Sequence, residues 1–246
     1  MFEANLGGVF RLYRAALARC WLPSLLLALT WGGVATILDR RLGPADDLLQ
    51  WLVQVQALLW SAYFWRLLVL ASGLSVFFYC AMVADIHAVA VGGAAPAAAG
   101  LASALHAFPG ALIAAVIFLM ATSMATMLFV VPGAYLWGMW QLWLIVLVVE
   151  HTGPLAALRR SWQLVAGSWW RITTLVTIVT VMSAVPPLMV DALLGGSLAL
   201  VGVDAARAPA LLTIAGGLLN IFLLPLIPAA LVAAYLDRQR AAVLQG

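Results

Sequence analysis

Five side chains that could bind a metal ion or transfer protons fall near the same, predicted cytoplasmic, side of the chain's membrane spans. They are Asp85, His87, His106, Glu150 and His151. Carboxylates and imidazoles are common zinc ligands and general acids or bases. Their spacing supports neither role, because Asp-x-His turns its two side chains to different helical faces and no HExxH pair follows. We predict no catalytic residues, no metal site and no cofactor; a membrane-embedded hydrolase at these five residues is kept as an alternative.

A second set of polar residues falls near the middle of the predicted membrane spans. It consists of Thr122, Thr126, Gln141, Thr177, Thr180 and Asn220. Such side chains either join packed helices through hydrogen bonds or line a polar pathway. No ionisable group is predicted at the same depth, whereas ion-coupled transporters usually place one there. We predict helix packing, and the alternative is a transporter or permeation protein for a small neutral or amphipathic substrate.

The elements that position both sets are membrane helices. The chain has 246 residues, of which 66% are hydrophobic and 9% charged, so it has too little polar surface to cover a soluble globule. Several uncharged runs reach the roughly 18 to 20 residues that cross a hydrocarbon core about 30 Å thick. We predict an all-α integral membrane protein in which residues 1–246 form a single six-span domain.

The predicted spans follow the apolar runs and form three hairpins with cytoplasmic amphipathic elbow helices. The spans lie at about 21–38, 65–90, 108–131, 134–150, 172–193 and 210–235. An interfacial helix is predicted over 2–20 and an elbow helix over 154–170, while the polar 47–61 segment predicts a helix on the outer side. The dipeptide at 132–133, Pro-Gly, predicts the turn between spans three and four. Eight of the twelve basic residues then lie on the side of the N-terminus, which places both termini in the cytoplasm.

The segment EHTGPLAALRRSWQLVAGSWWR, residues 150–171, has the most distinct local chemistry. Tryptophan favours the headgroup level, and arginine is attracted to anionic lipid. The lipid-interface or partner candidates are Arg159, Arg160, Trp162, Trp169, Trp170 and Arg171. We predict topological anchoring, with a lipid-binding site as the alternative. The expected partners are membrane lipids and a membrane protein or a second copy of the chain; the dispersed net charge of +3 argues against nucleic acid.

Residues 9–20 and 161–172 align without a gap. Phe10 meets Trp162 and Leu12 meets Leu164, and the aligned arginines are Arg19 and Arg171. Residues 96–108, before span three, suggest a degenerate third copy. Duplication and chance similarity among hydrophobic hairpins both remain open explanations.

These motifs resemble the bacterial YciC-like membrane proteins and the related membrane domain of some glycerophosphodiester phosphodiesterases. The resemblance rests on VPGAYL at 131–136, Glu150, Gly153-Pro154, ALRRSW at 157–162, Gly167 and Trp170, with FRLYR at 10–14. It implies a six-helix protein of the bacterial inner membrane and brings no catalytic residues, because catalysis in the phosphodiesterases belongs to a separate soluble domain. Gln141 departs from the basic residue expected in span four. The predicted function is a non-enzymatic scaffold, partner subunit or envelope-associated module.

Overall fold

A computed structural model describes residues 5–43, 47–93, 98–200 and 209–245. Every regular element in these ranges is a helix. The ten helices are α1 (Leu6–Leu42), α2 (Leu48–Leu59), α3 (Ala62–Ala90), α4 (Ala98–Leu128), α5 (Val130–Met139), α6 (Trp143–Val149), α7 (Pro154–Val165), α8 (Trp169–Leu200), α9 (Pro209–Leu223) and α10 (Leu226–Gln245).

Six stretches of these helices are long and apolar enough to cross a membrane. They are Leu6–Leu42, Ala62–Ala90, Ala99–Leu128, Val130–Val149, Trp169–Leu194 and Gly216–Ala242. The chain therefore has the fold of an all-α, multi-pass membrane protein, which confirms the predicted class. Consecutive spans form hairpins. Helix α1 packs against α3, α4 packs against α5, and α8 packs against α9.

The N-terminal helix is longer than predicted. Residues 6–20 continue directly into span one as α1, instead of forming a separate interfacial helix over 2–20, whose first three residues lie outside the described ranges. Asn5 caps the helix by accepting a hydrogen bond from the Gly8 amide at 2.7 Å, and Gly43, at φ 65°, ends it. No left-handed residue interrupts the intervening chain.

Helix α1 runs antiparallel to α3. The Trp31 indole donates to Ser75 Oγ at 2.9 Å, and Arg19 Nη1 donates to the Gly93 carbonyl at 3.2 Å beyond the far end of α3. A helix is present between α1 and α3 where one was predicted; this is α2, which has no buried residue, and its side of the membrane stays a prediction.

Span four differs from the prediction at both its start and its middle. The turn from α4 falls at Phe129, not at Pro132-Gly133, which lie inside the first turn of α5. Proline is tolerated there because its missing N–H has no intrahelical partner. A methyl group on Gly133 would lie 2.0 Å from Thr126 Oγ1, so glycine permits the close packing of α5 on α4. The span then breaks at residues 140–142, between α5 and α6.

The separate elbow helix α7 ends at Val165, earlier than the predicted residue 170. Ala166 leaves the helix with ψ 131°, and Gly167 takes the left-handed φ of 79° that glycine adopts without steric cost. The suggested third copy has no separate elbow among the described residues, since α4 continues from Ala98 into span three; residues 96–97 lie outside them.

Candidate functional site

The elbow helix α7 has one side buried in the bundle and one side on the surface. Its buried residues are Ala157, Leu158, Ser161, Leu164 and Val165. Leu155 is 69% exposed and Trp162 is 39% exposed, although both lie at helical spacing from the buried Leu158. The bundle therefore covers the small and aliphatic residues of α7 and leaves Trp162 and Arg159 outside.

Ser161 joins the elbow to the break in span four. Its hydroxyl accepts from the Leu142 amide at 3.1 Å and donates to the Met139 carbonyl at 3.1 Å. Both backbone groups lie at the helix break, where intrahelical partners run out. The serine is fully buried. Sequence reasoning missed this role; the one available signal was a small hydroxyl at helical spacing from Leu158 and Leu164.

Arg238, on α10, binds the other end of the elbow helix. Its Nε donates to the Leu164 carbonyl at 2.8 Å, and its Nη1 donates to Ser168 Oγ at 2.8 Å. The Leu164 carbonyl is one of the last in α7, which ends at Val165, so a cationic donor satisfies a helix terminus. In the sequence, Arg238 is only one of the eight basic residues that predict the orientation of the chain.

Two further contacts connect the elbow segment to α10, and two contacts within these elements support them. Arg171 Nη1 lies 3.5 Å from Asp237 Oδ2, and Arg160 Nε lies 3.5 Å from Glu150 Oε1. The buried Tyr235 donates from its hydroxyl to the same Glu150 oxygen at 2.9 Å, and Gln239 donates to that hydroxyl. We call this set, with Arg238 and Ser168, the elbow latch.

The tryptophans of the segment have different surroundings. Trp169 donates from its indole to the Tyr135 carbonyl at 3.2 Å, and a methyl group on Gly138 would lie 2.2 Å from that indole nitrogen. Trp169 is therefore part of the packing between α8 and α5. Trp170 is 77% exposed. Its ring packs edge to face against Trp169, with the ring centroids 4.6 Å apart, but otherwise remains on the surface.

The predicted mid-span threonines form bonds within their own helices. Thr122 donates to the Phe118 carbonyl at 2.6 Å, Thr126 to Thr122 at 2.8 Å and Thr180 to Val176 at 2.8 Å. Thr177 is exposed, and Asn220 is half-buried on α9. These bonds satisfy the threonine hydroxyls locally, so they are not evidence of a shared polar pathway.

Gln141 is the exception among the mid-span residues. It lies in the break between α5 and α6 and is 8% exposed. Both Nε2 and Oε1 are buried without a hydrogen-bond partner among the described residues. An unpartnered buried polar group costs about 1–3 kcal/mol. The unpartnered Gln141 amide therefore either binds a polar molecule or lowers the stability of span four.

The five acid and imidazole residues do not come together as one site. His87 and Glu150 both approach Tyr235, the imidazole with a ring separation of 6.5 Å. Asp85 is buried against Gly100 of α4, and the exposed His106 ring contacts its own helix at the Ala102 carbonyl. His151 is exposed. Within the described ranges, no three His, Cys, Asp or Glu side chains are grouped so that they could hold a metal ion.

The fold and these contacts define a helical multi-pass membrane protein whose elbow segment is bonded to its last span. No protein-family model, curated protein or solved structure matches the chain.

Proposed function

We propose that this chain is a non-enzymatic protein of the bacterial inner membrane, related to the YciC-like family, that serves as a scaffold, partner subunit or envelope-associated module. The observation that supports the proposal is the elbow latch, which holds the inner side of the segment while Leu155, Arg159 and Trp162 remain on its surface. Exposed Trp and Arg side chains on a rigid support are typical of protein interfaces. This surface suits the binding of another protein better than it suits catalysis.

Site-directed photo-crosslinking in cells tests this role. A photoreactive phenylalanine analogue at Leu155 should give a discrete protein adduct, and the same analogue at Val69, exposed on α3, is the matched control. Adding Arg159→Glu and Trp162→Ala should remove the adduct without lowering expression. Adducts of equal yield at both positions, together with repeated recovery of the protein alone by native mass spectrometry in mild detergent, would contradict the proposal.

The proposed orientation places both termini in the cytoplasm. A periplasm-active reporter fused after Gly246 should be inactive, and one inserted near Asp204 should be active. Both positions lie outside the described residues. The reverse pattern of activity would overturn the orientation and leave the protein-binding proposal to its own test.

A permeation role for a small neutral substrate is the second candidate, and the unpartnered amide of Gln141 favours it. Broken membrane helices often carry the binding sites of transporters. If the role holds, liposomes containing the protein should release glycerol faster than protein-free liposomes, and Gln141→Leu or Asn220→Leu should remove that flux. Thr177→Val, at an exposed position, is the control. Release at the protein-free rate would exclude glycerol permeation.

A further inference from the structure

A surface groove lies where α1 and α8 begin. It has a volume of about 420 Å³ and is lined by Asn5, Leu6, Trp170, Arg171, Thr174, Leu175 and Ile178. Among the lining residues that the structure describes there is one cation and no acidic side chain. The partner-binding role proposed above does not require this groove.

The polarity of the groove changes along α8. Arg171, Thr174 and Ile178 are spaced so that they follow one stripe of the helix, and about 10 Å of helix separates the first from the last. The cationic end of the stripe lies at the start of a candidate membrane span, Trp169–Leu194, and its aliphatic end lies further into that span. This order matches a phospholipid, in which an acyl chain follows a charged phosphodiester.

The polar end of the groove contains the Arg171 guanidinium and lies beside two helix N-termini. Helices α1 and α8 both start there, at Leu6 and Trp169, and a helix N-terminus has a partial positive charge. The Arg171 side chain is 60% exposed, and its ion-pair partner among the described residues is Asp237, at 3.5 Å. Guanidinium groups bind phosphate oxygens in a planar, often bidentate geometry. The exposed Trp170 ring suits the headgroup level.

We propose that this groove binds one anionic phospholipid, whose phosphodiester contacts Arg171 at the start of α8 and whose acyl chain lies along Leu175 and Ile178. The aliphatic lining selects a lipid over a soluble phosphate, because Leu6 and Ile178 offer a free anion no hydrogen bond. The positive charge selects phosphatidylglycerol, which has a net charge, over zwitterionic phosphatidylethanolamine.

Native mass spectrometry of the delipidated full chain tests the site. With acyl chains matched, we expect one phosphatidylglycerol to be retained, with an affinity about tenfold above that for phosphatidylethanolamine. Arg171→Gln should remove this preference, and Ile178→Trp should weaken binding of both lipids by filling the groove. Arg66→Gln, at an exposed residue of α3, is the charge-matched control and should bind as the wild type does.

Asp237→Asn separates lipid binding from folding. It removes the same ion pair as Arg171→Gln but leaves the guanidinium, so phosphatidylglycerol binding should be retained or increased. If Arg171→Gln and Asp237→Asn lose phosphatidylglycerol binding equally, the ion pair acts only on the structure of the protein, and the proposal is overturned. Equal retention of the two lipids, displacement by millimolar glycerol phosphate, or a dimer mass in place of the lipid adduct would each overturn it as well.

Discussion

Residues 9–20 and 161–172 share a burial pattern but differ in backbone. The aligned pairs Val9 with Ser161, Leu12 with Leu164 and Cys20 with Ile172 are all buried. The first segment is one part of the continuous helix α1, whereas the second breaks at Gly167. Ala15 occupies the position aligned with that glycine. Hydrophobic spacing thus determines which side faces the bundle, and a single backbone-permissive residue determines whether the helix turns.

The break also explains why polar contacts concentrate at the elbow. Where α7 ends, its last carbonyls lose their intrahelical donors, and Arg238 supplies a donor to the Leu164 carbonyl. In α1 the aligned residues 9–20 keep their intrahelical backbone hydrogen bonds, because the helix is continuous. The N-terminal segment therefore depends mainly on apolar burial, while the elbow depends on bonds from other helices.

The largest loss of stability should follow from Ser161→Ala, which makes this position apolar, as the aligned Val9 is. Ser161→Ala leaves the Leu142 amide and the Met139 carbonyl buried without their partner. Each such group costs about 1–3 kcal/mol, so the free energy of unfolding in mild detergent should fall by about 2–5 kcal/mol. Steric trapping measures this change. Ser197→Ala, at an exposed serine, should be nearly neutral; equal values for both variants would contradict the bridging role.

Removal of the Arg238 contacts should have the next largest effect. Arg238→Met loses two charge-assisted bonds, each of which typically contributes about 1.5–3 kcal/mol; because Arg238 is only half-buried, water replaces part of both bonds, and we expect destabilisation of about 1.5–3 kcal/mol overall. Hydrogen exchange should accelerate over residues 162–170 and remain unchanged over 9–20. Arg159→Met, on the exposed side of α7, is the control. Faster exchange in both segments would indicate global loosening and not a local latch.

The helical class and the six spans were predictable because long apolar runs are strong local signals. The position of the elbow was predictable too, because Gly153-Pro154 suits a helix start. The elbow latch was not, since Tyr235 and Arg238 are more than 60 residues from their partners in the chain. Long-range pairing leaves no periodic signal in one sequence.

The break within span four was equally hidden. Residues 140–142 are Trp, Gln and Leu, none of which ends a helix by intrinsic propensity. The break is held by Ser161 from another element, so tertiary contacts decide it. For the same reason the sequence identified Gln141 as polar but not as unpartnered.

Gly167→Ala tests the backbone difference itself. A methyl group at this position would meet nothing within 4 Å, so the cost comes only from the left-handed φ, at about 1–2 kcal/mol. Unfolding in detergent should show that loss. Gly153→Ala is the control, because its added methyl also meets nothing and its φ of −69° is ordinary. A neutral Gly167→Ala would mean that the glycine does not impose the break.

The reciprocal change, Ala15→Gly, should have the smallest effect. Glycine inside a helix costs about 0.5–1 kcal/mol relative to alanine, and the exposed Ala15 contributes little packing. We expect α1 to stay continuous, because Ala16 replaces the aligned Ser168 and so lacks the hydroxyl that Arg238 binds in the elbow. Slow exchange of the amides at 16–20 should persist. New rapid exchange there would show that a glycine alone can make an elbow, and that the outside contacts only stabilise it.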